Sequence, residues 1–184
     1  NGVDVTDYVN AHDRWYPLRT QLEPATAGDL RAAWSVLQEH WTALLARVAG
    51  MPPETSGLSV NGEWSLIQTL RHLIFAMDKW FVLPVLGEPD CSPIGLPNSE
   101  SQERGWPGVD RDADPGLDQV LAARAEQHAR FDRFIAELEF TSLPETSEVL
   151  ENGTVPTVMC FHVVLEEEFG HLRYALRDLG QHSG

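Results

Sequence analysis

The sequence predicts an all-α fold, a four-helix bundle with long connections between some of its helices. Apolar residues recur at steps of three and four along four segments of the chain, which is the spacing of a single helix face. No segment shows the alternating pattern of a strand strongly enough to compete with this signal. The 184 residues, of which 42% are hydrophobic and 22% charged, match one globular domain. Together these observations indicate a bundle.

Residues 1–26 form a polar N-terminal segment, in which we expect a short helix at about 5–14. The bundle domain is predicted over residues 27–180. Its first helix carries large apolar residues on one face and ends at Gly50, before two prolines. The apolar face consists of Leu30, Trp34, Leu37, Trp41, Leu44 and Val48. Position 1 is Asn and not Met, so we expect the chain to be a piece of a longer protein.

The second helix is predicted over residues 64–86, with Asn61 or Ser65 as its N-terminal cap and Gly87 at its end. The following residues, 87–116, are rich in proline and glycine. They predict a long loop, and long loops in compact domains are often functional lids.

The third helix is predicted at about 117–139 and the fourth at about 156–179, joined by an irregular connection at 141–155. The third helix places Arg124 and His128 in its apolar seam. Arg124 either extends its charged group to solvent, faces the acidic residues of the fourth helix, or holds a substrate carboxylate.

The charge of the chain limits the kinds of partner that it can have. With 28 acidic and 13 basic side chains the formal net charge is −15, and nucleic-acid or anionic-membrane surfaces require the opposite sign. No apolar run approaches the roughly 18 residues of a membrane span. Two cysteines are too few for a disulfide framework and suit a reducing compartment. We therefore expect a cytoplasmic protein with a small-molecule substrate, and a homodimer is compatible with the sequence.

The fourth helix carries polar residues inside its apolar arc. Glu167, Glu168 and His171 lie on this inward face, and a buried ionised carboxylate needs a partner or a cation. Because Glu167 and His171 are four residues apart, their side chains share a face, which is the spacing from which helices hold metals. A simple Glu–His hydrogen bond or a solvated acidic patch would give the same pattern. His162 falls on the opposite, outer face.

A metal site in a bundle also needs a ligand from a facing helix. His72 is the only histidine in the second helix, and it shares a stripe with polar residues. This stripe includes Ser65, Gln68, Thr69 and Lys79. It either faces solvent or lines a polar cavity, and periodicity does not choose between the two.

Two blocks of the sequence resemble the DinB-like superfamily of metalloenzymes. The first block comprises residues 61–65 (NGEWS), 69–73 (TLRHL) and 78–80 (DKW). The second comprises residues 165–171 (LEEEFGH), 174–175 (YA) and 177–179 (RDL). The resemblance is to the branch that contains mycothiol-dependent maleylpyruvate isomerase and related thiol S-transferases.

The resemblance implies a four-helix bundle with a divalent metal, zinc or nickel, held by one histidine of the second helix and a pair on the fourth. The ligands implied are His72, Glu167 and His171. Three protein ligands leave a position open, which is typical of a catalytic site. From their positions on the helices, and not from the resemblance, we expect Glu168 and Arg124 to be the catalytic residues. Glu168 would orient a ligand histidine, and Arg124 would hold a carboxylate.

We therefore expect a divalent-metal-dependent enzyme that activates a low-molecular-weight, mycothiol-like thiol for S-transfer to an electrophilic small molecule. Two alternatives remain open at this stage. One is a metal-dependent hydrolase that uses a metal-activated water. The other is a non-catalytic metal-binding module, acting in stress or partner binding through the loop at 88–115.

Overall fold

A computed structural model describes residues 3–181 and confirms the predicted all-α fold. Four long helices pack as a bundle, with α4 against α5 and α6, and α3 against α6 and α5. The α-helices within the described residues are α1 (Thr6–His12), α2 (Tyr16–Arg19), α3 (Ala27–Val48), α4 (Leu66–Met77), α5 (Leu117–Ala136) and α6 (Thr157–Gln181). None of them combines the length and apolar character needed to cross a membrane.

The starts of α3 and α4 are fixed by side-chain caps. At α3 the Thr26 hydroxyl accepts a hydrogen bond from the Asp29 amide at 3.1 Å, and the Asp29 carboxylate accepts one from the Thr26 amide at 3.0 Å. Ser65 and Gln68 form the same reciprocal pair at α4. These interactions satisfy backbone amides that have no partner inside the helix. Of the two caps considered for the second helix, Ser65 is the one used.

The second helix is shorter as a regular α-helix than its apolar run predicts. After Met77 the chain continues as one π-helical turn, Asp78–Val82, in which the Leu83 amide donates to the Asp78 carbonyl at 2.9 Å. Pro84 follows, and because proline cannot donate a backbone hydrogen bond, the helix does not extend to residue 86. Turns of this kind often lie beside functional sites.

The long loop at 87–116 folds back over α4 and is fastened to it. The Leu96 amide donates to the Arg71 carbonyl at 3.1 Å, and the Arg71 Nε donates to the Ile94 carbonyl at 2.9 Å. Residues 69–78 are all buried, some by the core between the helices and others by this loop. The polar stripe of α4 therefore lies largely in the interior, and only Gln68 among its members is exposed.

The connections outside the four long helices compare differently with the sequence predictions. A short helix, α1, lies within the range 5–14 where one was expected, and α2 follows it outside that range. The segment expected to be irregular contains an antiparallel hairpin of β1 (Thr146–Val149) and β2 (Gly153–Pro156), so the prediction that it holds no strands is wrong. Each strand has only four residues, too few for an alternating pattern to stand out from the sequence.

The core lies between the four long helices and is rich in aromatic residues. All six apolar residues predicted for the inward face of the first long helix are buried. Leu18 and Leu22 also belong to this core, so the N-terminal segment packs against the bundle. The domain boundary expected at residue 26 stays a prediction.

Candidate metal centre

Three side chains that can bind a metal converge between α4 and α6. His72 comes from α4, and Glu167 and His171 come from successive turns of α6. Their potential ligand atoms all lie within 4.8 Å of one another. The Oε2 atom of Glu167 is 3.4 Å from His72 Nε2 and 3.3 Å from His171 Nδ1. The structure thus brings together the three residues that the sequence resemblance implied as ligands.

The separation of these atoms suits a small divalent metal. In a tetrahedral zinc site with bonds of about 2.0–2.1 Å, two ligand atoms lie roughly 3.3 Å apart. The 3.4 Å between His72 Nε2 and Glu167 Oε2 is close to that value. Two imidazoles and one carboxylate are a donor set that binds zinc and neighbouring transition metals. The residues present therefore fit such an ion.

Backbone carbonyls fix the proton position on both imidazoles. His72 Nδ1 is 3.0 Å from the Leu96 carbonyl oxygen, and His171 Nδ1 is 2.9 Å from the Glu167 carbonyl oxygen. Since a carbonyl oxygen only accepts, each Nδ1 donates, and Nε2 is the nitrogen whose lone pair a metal would use once any proton on it is lost. Hydrogen bonds of this kind commonly orient histidines that bind metals. The loop at 87–116 thus contributes to the site through Leu96, a role that the sequence did not indicate.

The surroundings also set the charge of the three groups. Burial and the nearby His72 lower the pKa of His171, which favours the neutral imidazole that metals require. Burial raises the pKa of Glu167, but the hydrogen bond and charge of His72 and the charges of His171 and Lys79 outweigh it, so its pKa lies below the ordinary value. At neutral pH the cluster therefore has its acid ionised.

A cavity of about 280 Å³ opens directly beside the cluster. His72 and Glu167 form part of its wall, together with Lys79 and Arg104. The ring of Trp64 lies 4.9 Å from that of His72 and 6.4 Å from that of His171, centroid to centroid, and covers the histidines on another side. A larger groove of about 710 Å³ between α3 and α5 is lined by none of the three cluster residues. Of these two cavities, the smaller is therefore the one that borders the cluster.

The side chains predicted as catalytic, Arg124 and Glu168, are bound to each other. Arg124 Nη2 donates to both carboxylate oxygens of Glu168, at 3.1 and 3.0 Å, and both side chains are at most 5% exposed. Burial raises the pKa of Glu168, but the charge of Arg124 and the contact with His128 outweigh it and hold that pKa below the ordinary value. Of the alternatives for Arg124, the structure selects contact with the acids of the fourth helix. The catalytic roles of both residues stay predictions.

The remaining residues considered from the sequence lie outside the cluster. His162 is half-buried, and its Nε2 lies 3.3 Å from the Pro24 carbonyl. Cys160 is 1% exposed and belongs to the core, and Cys91 is 4% exposed. Burial raises the pKa of the Cys91 thiol to about 12 and that of Cys160 to about 11. Neither thiol is therefore ionised at neutral pH.

Comparison with known families agrees with this geometry. The family model of the DinB superfamily matches residues 36–175, which is more than half of the chain. The chain belongs to the DinB superfamily. The match includes α4 and the part of α6 that carries Glu167 and His171, so all three cluster residues lie within the DinB-like region. No curated protein and no solved structure matches the chain.

Proposed function

We propose that this DinB-superfamily chain is an enzyme that holds a divalent metal, zinc or nickel, at His72, Glu167 and His171. It uses the metal to activate a low-molecular-weight, mycothiol-like thiol for transfer of its sulfur to an electrophilic small molecule. The observation that carries the proposal is the three-donor cluster, of which His72 and Glu167 line a cavity of about 280 Å³. Three protein ligands leave room for a small molecule, as in catalytic zinc sites.

A divalent cation supplies the site with a positive charge that lowers the pKa of a coordinating thiol, so that the thiolate is available at neutral pH. Two cations of the chain, Lys79 and Arg104, line the cavity and favour an anionic sulfur near them. Glu100 and Glu151 belong to the same wall and oppose this effect, so the metal has to supply the net positive charge. The Lys79 ammonium is partly compensated by Glu151, 2.6 Å away, whereas no ion pair to Arg104 is present within residues 3–181.

The thiol in this reaction has to come from outside the protein. The chain has two cysteines, and both are buried with raised pKa values. A buried, protonated thiol is a poor nucleophile. The cavity beside the cluster, in contrast, is open to small molecules.

The test uses the metal-loaded protein, a panel of mycothiol, bacillithiol and glutathione, and monobromobimane as the electrophile. In the expected reaction a new S–C bond forms, bromide leaves with the electron pair of the C–Br bond, and the thiol proton passes to solvent. Conjugation should exceed the uncatalysed rate with at least one thiol and should be lost in His171→Ala. His162→Ala, a matched change on the opposite face of α6, should retain it.

Direct titration of the cobalt-substituted protein with each thiol gives a second measurement. A thiolate-to-metal charge-transfer band is expected with the thiol that supports conjugation. If no thiol changes the cobalt spectrum, the transferase proposal is wrong. Ester or amide hydrolysis by the metal-loaded protein would then favour the hydrolase, and metal binding without any turnover would favour a binding module.

A further inference from the structure

A second cavity lies between α4 and the loop at 87–116, next to the one at the metal cluster. Its volume is about 330 Å³, which is at the lower end of the range for small-molecule sites. Three arginines line it, Arg71, Arg104 and Arg111, out of only 13 basic residues in a chain of net charge −15. Apolar groups complete much of the wall: Leu96, Pro97, Trp106 and Val109. This concentration of positive side chains favours a negatively charged ligand.

Arg71 is the buried group of the three. Its residue surface is 9% exposed, and its Nε donates to the Ile94 carbonyl at 2.9 Å. Within residues 3–181 no hydrogen bond or ion pair reaches its two Nη nitrogens. The protein does not fully enclose these two nitrogens, so they are accessible from the cavity that Arg71 lines. A guanidinium in such a position gains from an acceptor with two oxygens.

The nearby acidic side chains do not provide hydrogen-bond acceptors for the Arg71 Nη nitrogens. Asp110 and Asp114 are close enough to raise the pKa of Arg71 against the lowering effect of burial, but neither carboxylate hydrogen-bonds to it. One oxygen of Asp110 instead accepts from the Asp112 amide at 3.0 Å. Among the side chains that line the cavity, Glu103 and Asp110 leave an excess of one positive charge over the three arginines, and Asp114 nearby offsets part of it. This balance suits a ligand with no more than one negative charge.

We propose that this cavity binds a small organic monoanion, a carboxylate on a compact apolar body, with the Arg71 guanidinium as its main partner. The two open Nη nitrogens match the two oxygens of a carboxylate, and the apolar wall covers the remainder of the molecule. Two acidic side chains in the same wall disfavour a dianion such as phosphate. None of the three predicted metal ligands lines this cavity, and the proposal does not depend on the proposed thiol chemistry.

The test is calorimetric titration of the metal-loaded protein with benzoate, with benzamide as the neutral molecule of the same shape, and with inorganic phosphate. Benzoate should bind in the millimolar range or tighter, and both benzamide and phosphate at least about 10-fold more weakly, since charge-assisted hydrogen bonds are involved. The proposal is wrong if benzamide binds as tightly as benzoate or if phosphate binds more tightly. It is also wrong if no benzoate binding is detected at a concentration of about 20 mM.

Substitutions of the arginines that line the cavity test whether benzoate binds there. Arg71→Gln should weaken benzoate binding at least about 10-fold. Because Arg71 also holds the loop through Ile94, a second variant, Arg104→Gln, changes an exposed arginine on the other side of the cavity and should weaken binding a few-fold. Arg133→Gln, at an exposed position of α5 outside the cavity, is the control and should leave the affinity unchanged. If Arg71→Gln and Arg104→Gln both bind benzoate like the wild type, the assignment is wrong.

His171→Ala separates this site from the metal centre. Benzoate should bind that variant as it binds the wild type, and dependence on His171 would place the carboxylate on the metal and overturn the proposal. Since Arg104 lines both cavities, the carboxylate belongs either to one end of the substrate or to a separate effector. Competition between benzoate and the electrophile in the conjugation assay identifies the first source, and benzoate binding without such competition the second.

Discussion

Arg124 on α5 holds both carboxylate oxygens of Glu168 on α6, at 3.1 and 3.0 Å, in the buried centre of the bundle. Glu168 directly follows Glu167, which belongs to the metal cluster, so this ion pair ties the cluster's helix to α5. One aromatic ring of α3, that of Trp41, lies beside the pair. The Arg124 guanidinium carbon is 5.3 Å from the centroid of the Trp41 ring. The contact couples helix packing to the position of a predicted ligand.

Removing one partner of this ion pair should destabilise the protein strongly. Arg124→Ala leaves an ionised Glu168 in the interior, and we expect the free energy of unfolding to fall by about 3–5 kcal/mol. Urea denaturation followed by circular dichroism measures the change. The double variant Arg124→Met with Glu168→Leu removes both charges at similar volume and should lose much less. A single-variant loss below about 1 kcal/mol would mean that water reaches the pair.

Each of the three cluster residues should be required for metal binding. We expect about one divalent transition metal per chain in protein purified without chelators, because three donors converge within 4.8 Å. Replacement of His72, Glu167 or His171 by Ala should lower the metal content, as measured by elemental analysis. His162→Ala should not, since its ring contacts Pro24 on the far side of α6. Unchanged metal content in all three cluster variants would show that the metal binds elsewhere.

The buried Asp78 should make the stability of the protein depend on pH. Burial raises its pKa to about 6 from 3.8, despite hydrogen bonds from the Ser92 amide at 2.7 Å and Gln127 at 2.5 Å. Because the folded-state pKa is raised, the stabilisation from the protonated form is complete below the unfolded pKa. It is lost as the pH rises towards 6.

The variant Asp78→Asn does not titrate at this position. Its free energy of unfolding, relative to the wild type, should therefore rise by up to about 3 kcal/mol between pH 4 and pH 8. Urea titrations of both proteins across this range measure the difference. Parallel pH profiles of the two proteins would show that Asp78 ionises with its ordinary pKa in the folded state.

Duplex DNA should not bind to this protein. Non-specific binding relies on lysine and arginine displacing counterions from phosphates, and Lys79 is the only lysine in a chain of net charge −15. We expect no mobility shift of a duplex at protein concentrations up to about 100 μM in physiological salt. A shift at micromolar protein that weakens with added salt would contradict this expectation.

The local features of the chain were accessible from the sequence. The steps of three and four that place Trp34 and Trp41 on one face of α3 follow from helix geometry alone, and both residues are buried. The proximity of Glu167 and His171 follows from the same geometry, since they lie one turn apart. Ser65 was one of two caps that the sequence offered. Such features depend on residues close together along the chain, so the sequence pattern is sufficient to predict them.

Tertiary packing decided the rest, because it sets how helices rotate against one another and where loops run. From periodicity alone, the stripe that carries His72 could face either solvent or a polar cavity. In the structure α4 packs against α6 and the loop at 87–116 covers it, so that His72 is only 3% exposed. The same loop supplies the Leu96 carbonyl to His72 and closes the cavity around Arg71. These contacts join residues more than 20 positions apart, and no short-range pattern encodes them. The sequence therefore determined the helices and the Glu167–His171 pair, whereas only the tertiary structure brought His72 to them.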